Sequence, residues 1–246
     1  MAPAGIGADV EGVHAVDAAL GAGRVRELFV ESGRSGRADV TNLVERAHGL
    51  GLPVRTVDDV RPLASTDAPQ GVVARCTPIP SLTIDEMIAL GPEPAILVLD
   101  HIEDPRNVGA AARSAFAAGM TGLVVSHRRS APVGATAFKA AAGALEHIPV
   151  AMISSIADGM RRLAKCDVWT VGLDGHADTS LFGLELLERP VAICIGAEGS
   201  GLSRLVADRC DVLARIPMAG GMESLNASVA SALACFEVAR VRGWVS

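Results

Sequence analysis

The chain has 246 residues, half of them hydrophobic, enough for one large domain or two small ones around a sizeable core. No apolar run reaches the ~18 residues of a membrane helix, and MAPAGIGADVEG lacks the charged-then-apolar pattern of a secretion signal, so a soluble cytoplasmic protein is expected. A net charge of −6 disfavours a nucleic-acid partner on average, but the average hides a segregation described below.

Strand and helix patterns alternate along the chain, which predicts an α/β fold with parallel strands. Val13 to Leu20 reads as a short helix and Glu27 to Val30 as a strand. Val40 to Leu50 is an amphipathic helix ending at Gly51, and Val54 to Val57 and Gly71 to Arg75 are strands. Cys76 to Pro94 holds Pro78, Pro80, Pro92 and Pro94 around a short helix and reads as a linker. Ala95 to Leu99 is a continuous apolar run, as in a strand covered on both faces. A helix over Val108 to Ala118 stops at Gly119, and Leu123 to Ser126 is the next strand. A helix around Ala135 to Leu145 leads to strand Val150–Ile153; Met160 to Ala164 is helical and Val168 to Val171 a strand. Val191 to Ile195 is a buried strand before a glycine-rich loop and a helix from Leu202, and Val212 to Ile216 is the last strand. The final helix runs from about Asn226 to Val241, with Val229, Leu233, Phe236 and Ala239 spaced to face a core.

The cysteines Cys76, Cys166, Cys194, Cys210 and Cys235 show no metal-type spacing, and the histidines form no H-x-x-x-H pair, so no metal is expected. Cys194 and Cys235 read as buried thiols. From Pro105 to Leu145 no residue is acidic, while Arg106, Arg113, Arg128, Arg129 and Lys139 are present. This basic island is either a solvated face or a surface for phosphate.

Three polar loops follow three apolar strands, and in open α/β sheets ligands bind beyond the carboxyl ends of the strands. In DHIEDPRNVGAAARS, Asn107 can cap the following helix. Arg113 lies on an alanine-rich helix that permits close packing, where an anionic ligand or a neighbouring subunit could meet it. In IGAEGSGLS, Gly196, Gly199 and Gly201 allow tight turns. Their spacing and late position do not match a dinucleotide loop. Glu198 would repel a pyrophosphate and suit a cationic ligand such as a sulfonium methyl donor. In IPMAGGMESLNAS, Ser224 and Asn226 are helix-capping types.

Together these loops resemble the three signature motifs of the SpoU (TrmH) family of RNA 2′-O-methyltransferases. The first is Asn107-Val108-Gly109 through Arg113. The second is Gly196-Ala197-Glu198-Gly199 with Gly201. The third is Ile216-Pro217-Met218 followed by Glu223-Ser224-Leu225-Asn226-Ala227-Ser228. Gly12 to Val16 and Gln70 to Ala74 resemble the start and end of the family's substrate-binding domain, a small α/β unit similar to certain ribosomal proteins. The nearest resemblance within the family is to bacterial enzymes that methylate a guanosine of 23S rRNA.

The resemblance implies an RNA-binding domain over 1–77, a linker over 78–93, and a trefoil-knotted methyltransferase domain with a parallel sheet over 94–246. It implies S-adenosylmethionine as cofactor, RNA as partner, and a homodimer formed through the knotted domain. It assigns Gly196, Ile216 and Leu225 to the methyl donor, with Met218 beside them. It assigns Asn107, Arg113, Glu198, Ser224 and Asn226 to catalytic and structural positions. Many members carry serine where this chain has Ala141, which puts a hydroxyl contact there in doubt. In the family the equivalent of Arg113 is proposed as base. A free guanidinium is effectively always charged, so an electrostatic role for Arg113 is at least as well supported. Ribose methylation of tRNA, and a non-catalytic RNA-binding assembly factor of the same fold, remain the alternatives.

Overall fold

The computed structural model describes residues 5–127, 130–220 and 224–243. In chain order the strands and α-helices are β1 (Asp9–Glu11), α1 (Val13–Gly21), β2 (Val25–Glu31), α2 (Ala38–Gly49), β3 (Val54–Val57), β4 (Val72–Cys76), α3 (Ile84–Ile88), β5 (Ala95–Leu99), α4 (Pro105–Ala117) and β6 (Gly122–Ser126). There follow α5 (Ala135–Ala141), β7 (Val150–Ile153), α6 (Ile156–Lys165), β8 (Trp169–Leu173), β9 (Thr179–Ser180), β10 (Val191–Ile195), α7 (Arg204–Ala207), β11 (Val212–Arg215) and α8 (Ala227–Val241). Arg128, Arg129 and Glu223, named above, lie outside the described residues.

The chain forms two compact units. The first comprises the chain to Pro80 together with Val133–His147. Its sheet has the order β1-β4-β2-β3. β4 runs antiparallel to β1 and β2, and β3 parallel to β2. Gln70 Oε1 accepts the Val13 amide at 3.2 Å, tying the turn before β4 to the start of α1.

Two buried carboxylates set this unit's loops. Glu11 is fully buried and accepts the amides of Ser65 and Thr66 and the Thr66 hydroxyl. The Glu146 side chain, also fully buried, takes two hydrogen bonds from the Arg24 guanidinium, each 2.6 Å. Arg24 also donates to the Gly7 and Thr77 carbonyls, and its guanidinium carbon lies 5.5 Å from the centre of the Phe138 ring. Arg24 thereby fastens the returning segment Val133–His147 to the start of β2. Gly7, at φ +63°, must be glycine because a Cβ there would collide with the buried Phe138 ring.

The second unit comprises Ser81–Pro132 and the chain from Ile148. Its sheet has the order β7-β6-β5-β10-β8-β11-β9, and every pairing is parallel. β5, β6 and β10 are buried along their whole length, as expected for strands covered on both faces. On one side Ile96, Val98, Val124, Ala192 and Cys194 pack with Ile84, Met87, Met160 and Leu163. Ile84 and Met87 therefore place part of the proline-rich stretch in this core. α4 packs against α8, and both contribute buried small side chains, among them Ala111, Ala112, Ala115, Ala234 and Ala239.

The structure corrects several sequence expectations. β1 and β9 are too short to give a periodic signal and were not expected. The helix expected to start at Met160 begins at Ile156, because Ser155 caps it by accepting the Asp158 amide at 3.2 Å. On α8, Ala239 is buried, but Val229, Leu233 and Phe236 are 46%, 38% and 45% exposed and do not face the core. The buried side of α8 is instead Ala227, Ser231, Ala234, Cys235 and Val238. The apolar periodicity was real, but its broad face outruns what the sheet covers.

Candidate active site

α4 starts one residue after Asp104, whose side chain accepts the Arg106 amide at 2.8 Å, and Pro105 takes the first helical position. Asp104 and not Asn107 is the cap. Asn107 therefore lies in the first turn, with its amide free to reach out. Its Nδ2 donates to Glu198 Oε1 at 2.7 Å. Asn226 Nδ2 donates to the same oxygen, and also to Asn107 Oδ1 at 3.2 Å. Asn226 Oδ1 accepts the amides of Ser228 at 2.9 Å and Val229 at 3.4 Å, and so caps α8. One carboxylate oxygen thus gathers one residue from each of the other two motif loops.

Sheet order explains the meeting. β5 and β10 are neighbours although far apart in sequence, and the strand order reverses there. A crevice opens at such a reversal, beyond the strands' carboxyl ends. The loop after β10 is closed by two hydrogen bonds between Ala197 and Gly201, at 2.9 and 3.1 Å. A Cβ at Gly196 would collide with the Gly201 carbonyl and the Leu202 amide, so only glycine permits this closure. Fully buried Asp100, at the end of β5, holds the loop's far end by accepting the Ser203 amide at 2.7 Å.

Beside this cluster lies a cavity of about 340 Å³. Gly196, Ile216, Met218 and Leu225, the expected donor-binding residues, all line it, as do Glu198 and Ser224. Asn107 and Asn226 do not line it but hold Glu198 at its edge. Ser224 does not cap α8. Arg113 is exposed on α4, does not line the cavity, and makes no hydrogen bond or ion pair among the described residues. Elsewhere in the basic island, Arg106 pairs with Asp104, and Lys139 donates to the Ala68 carbonyl in the first unit. Ala141 is fully buried in that unit, in α5.

Sequence reading missed the stretch Leu173 to His176, which follows β8 and lines the cavity. The apolar run of β8 was legible, but its place between β10 and β11 was not. The described lining contains two carboxylates, Asp174 and Glu198, one histidine, and no lysine or arginine. Such a pocket favours a cationic ligand and disfavours a phosphate.

Residues 94–236 match the SpoU rRNA Methylase family, and residues 10–82 match the family described as RNA 2′-O ribose methyltransferase substrate binding. The chain belongs to the SpoU family. Among SpoU relatives, the 23S rRNA (guanosine-2′-O-)-methyltransferase RlmB of Xylella fastidiosa is 38% identical over 95% of this chain and 96% of the relative. The RlmB of Escherichia coli is 36% identical over 95% of this chain and 98% of the relative. A solved structure, the SpoU methyltransferase AviRb of Streptomyces viridochromogenes in complex with AdoMet, superposes with a TM-score of 0.79 at 26% identity. That match covers 95% of this chain and 89% of AviRb. The α/β architecture with a parallel sheet is common to these SpoU proteins.

Proposed function

We propose that this SpoU protein transfers a methyl group from S-adenosylmethionine to the 2′-hydroxyl of a guanosine ribose in 23S rRNA. The observation that carries the reading is the convergence of Asn107 and Asn226 on Glu198 beside a cavity lined by acidic and apolar side chains. The match to RlmB relatives along nearly the whole chain supports the substrate. The cavity fits the donor in charge, since it offers carboxylates and no basic side chain other than His176 among the described residues.

Gly196, Ile216, Met218 and Leu225 would hold the donor, largely through backbone and apolar contact. When bound, S-adenosylmethionine supplies an electrophilic methyl on a positive sulfur, which becomes a neutral thioether once the methyl has left. Glu198, fixed by two amide donors, shapes the loop that carries Gly196. Arg113, exposed and without a hydrogen-bond or ion-pair partner among the described residues, would take an RNA phosphate and stabilise the oxyanion that forms as the ribose hydroxyl loses its proton. Ser224 lies in the cavity wall, and its hydroxyl would contact donor or ribose.

The same reading includes a homodimer. Val229, Leu233 and Phe236 on α8 give an exposed apolar face. A second copy would cover that face. The reading also includes the family's trefoil knot in the segments of the second and third motifs; the position of β8 between β10 and β11 is compatible with it. It places the protein in the cytoplasm with its RNA, and no described helix is long and apolar enough to cross a membrane.

The test is ribose-methylation mapping of total RNA from cells with and without the gene. A single 2′-O-methylguanosine lost from 23S rRNA supports the proposal. An unchanged 23S rRNA with a mark lost from tRNA transfers the chemistry to the other substrate, and no lost mark removes the enzymatic reading.

A further inference from the structure

We infer that Asp174 gives the donor pocket its preference for the charged methyl donor over the neutral by-product left after transfer. This rests on the donor reading above and adds a residue to it that the three motifs do not contain.

Asp174 follows directly on β8, which pairs with β10 through Cys194↔Gly172 and with β11 through Ala214↔Leu173. It therefore emerges between the loops that carry the second and third motifs, in the wall of the cavity. Its backbone amide donates to the Ala214 carbonyl at 3.0 Å, which fixes its height above the sheet. Its Oδ1 accepts the His176 amide at 2.8 Å, an Asx-type turn that holds the carboxylate in one orientation. Its Oδ2 has no hydrogen-bond partner among the described residues, and the side chain is half-buried.

The other carboxylate in the wall differs. Glu198 Oε1 is taken up by Asn107 and Asn226, which tie that carboxylate to the first and third motif loops, while its Oε2 accepts no hydrogen bond among the described residues. Asp174 and Glu198 thus each keep one carboxylate oxygen free of hydrogen bonds among the described residues, and Asp174 is the one that lies outside the three motifs.

S-adenosylmethionine and S-adenosylhomocysteine share their adenosine and amino-acid parts and differ by a methyl group and one positive charge on sulfur. A group that acts through shape or through the shared parts changes both affinities alike. A group that acts on the charge at sulfur changes only the first. A unit charge held roughly 6–8 Å from the sulfur, at an effective dielectric of about 20–40, would change affinity by ~6–100-fold. The consequence is kinetic as well: a pocket that loses its attraction once the charge has gone releases its by-product readily.

The experiment is calorimetric titration of the full chain and its Asp174→Asn variant with each of the two ligands, at low and at moderate salt. Asparagine retains the oxygen that accepts the His176 amide, so the turn is kept while the charge is removed. The expected result is S-adenosylmethionine binding weakened about tenfold, S-adenosylhomocysteine changed less than twofold, and a gap that narrows as salt is added. Equal weakening of both ligands would show that Asp174 acts through the loop's shape or through the parts the two ligands share, and unchanged binding of both would show that it does not face the charge; either overturns the inference and leaves the donor reading standing. A wild-type chain that binds neither ligand overturns the donor reading, and this inference with it.

Discussion

Asn107 Nδ2 donates to Glu198 Oε1 at 2.7 Å, joining the first turn of α4 to the loop after β10. Asn226, at the cap of α8, shares the same acceptor. The three side chains form one unit, so removing members should not be additive. Asn107→Ala and Glu198→Ala are each expected to weaken donor binding, and the double variant to be little worse than Glu198→Ala alone. Calorimetric titration of the four proteins closes the cycle, and additive losses would separate the two residues.

Gly196→Ala places a methyl group against the Gly201 carbonyl and the Leu202 amide. The loop cannot close as it does here. Donor binding is expected to fall below detection, while circular dichroism keeps the α/β signature because the change lies outside every strand and helix.

Arg113→Ala is expected to abolish methyl transfer under saturating RNA and leave donor affinity within about twofold, since Arg113 does not line the cavity. Arg113→Lys keeps the charge and loses the fork, so retained partial activity favours electrostatic stabilisation over proton abstraction. Near-normal transfer by Arg113→Ala would remove this residue from the chemistry.

How much of this could be read from residues alone varies by element. β5 and β10 were legible, with their ends, because AILVL and VAICI are continuous apolar runs bounded by Pro94 and Asp100 and by Pro190 and Gly196. The three loops were legible as loops, and their resemblance to one family placed them at one site. What was not legible was adjacency. Nothing local says that β8 lies between β10 and β11, so Asp174 and His176 could not be assigned to the cavity. The cap of α4 was missed for a related reason: Asp104 and Asn107 are both helix-capping types three residues apart, Asn107 reads as the cap in the sequence, and the structure shows that Asp104 accepts the first free amide. Val229, Leu233 and Phe236 have core spacing, but spacing does not say whether a sheet or a second molecule covers them.

In the first unit, the Glu146 side chain is fully buried and its charge is met by Arg24. Arg24→Ala leaves that carboxylate without its partner, and about 3–5 kcal/mol of stability is expected to be lost. A double change to apolar residues of similar size, Arg24→Met with Glu146→Leu, should restore much of it. Urea unfolding monitored by circular dichroism measures both, and a single variant as stable as the parent would contradict the role given to the pair.

Glu237 on α8 accepts the Gly183 amide at 2.7 Å and pairs with Arg240. The Arg240 guanidinium, against a smaller opposing effect of burial, holds its carboxyl below the usual glutamate range. A folded-state pKa below the unfolded one stabilises the fold above the unfolded value and stops doing so as pH falls through the folded value. Glu237→Gln is therefore expected to lower the melting temperature at pH 7, with the gap to wild type closing as the pH drops through the acidic side of the carboxylate range. A gap that stays constant with pH would mean that shape, not charge, matters at this position.

The measurement that bears most directly on the central claim is methyl transfer by the purified chain. It uses S-adenosylmethionine labelled in the methyl group, with 23S rRNA and tRNA in separate reactions, followed by nucleoside analysis by mass spectrometry. The expected result is labelled 2′-O-methylguanosine from 23S rRNA, absent with Arg113→Ala. Label on a base, or no label in either RNA from a protein that binds both donor and RNA, would contradict the account.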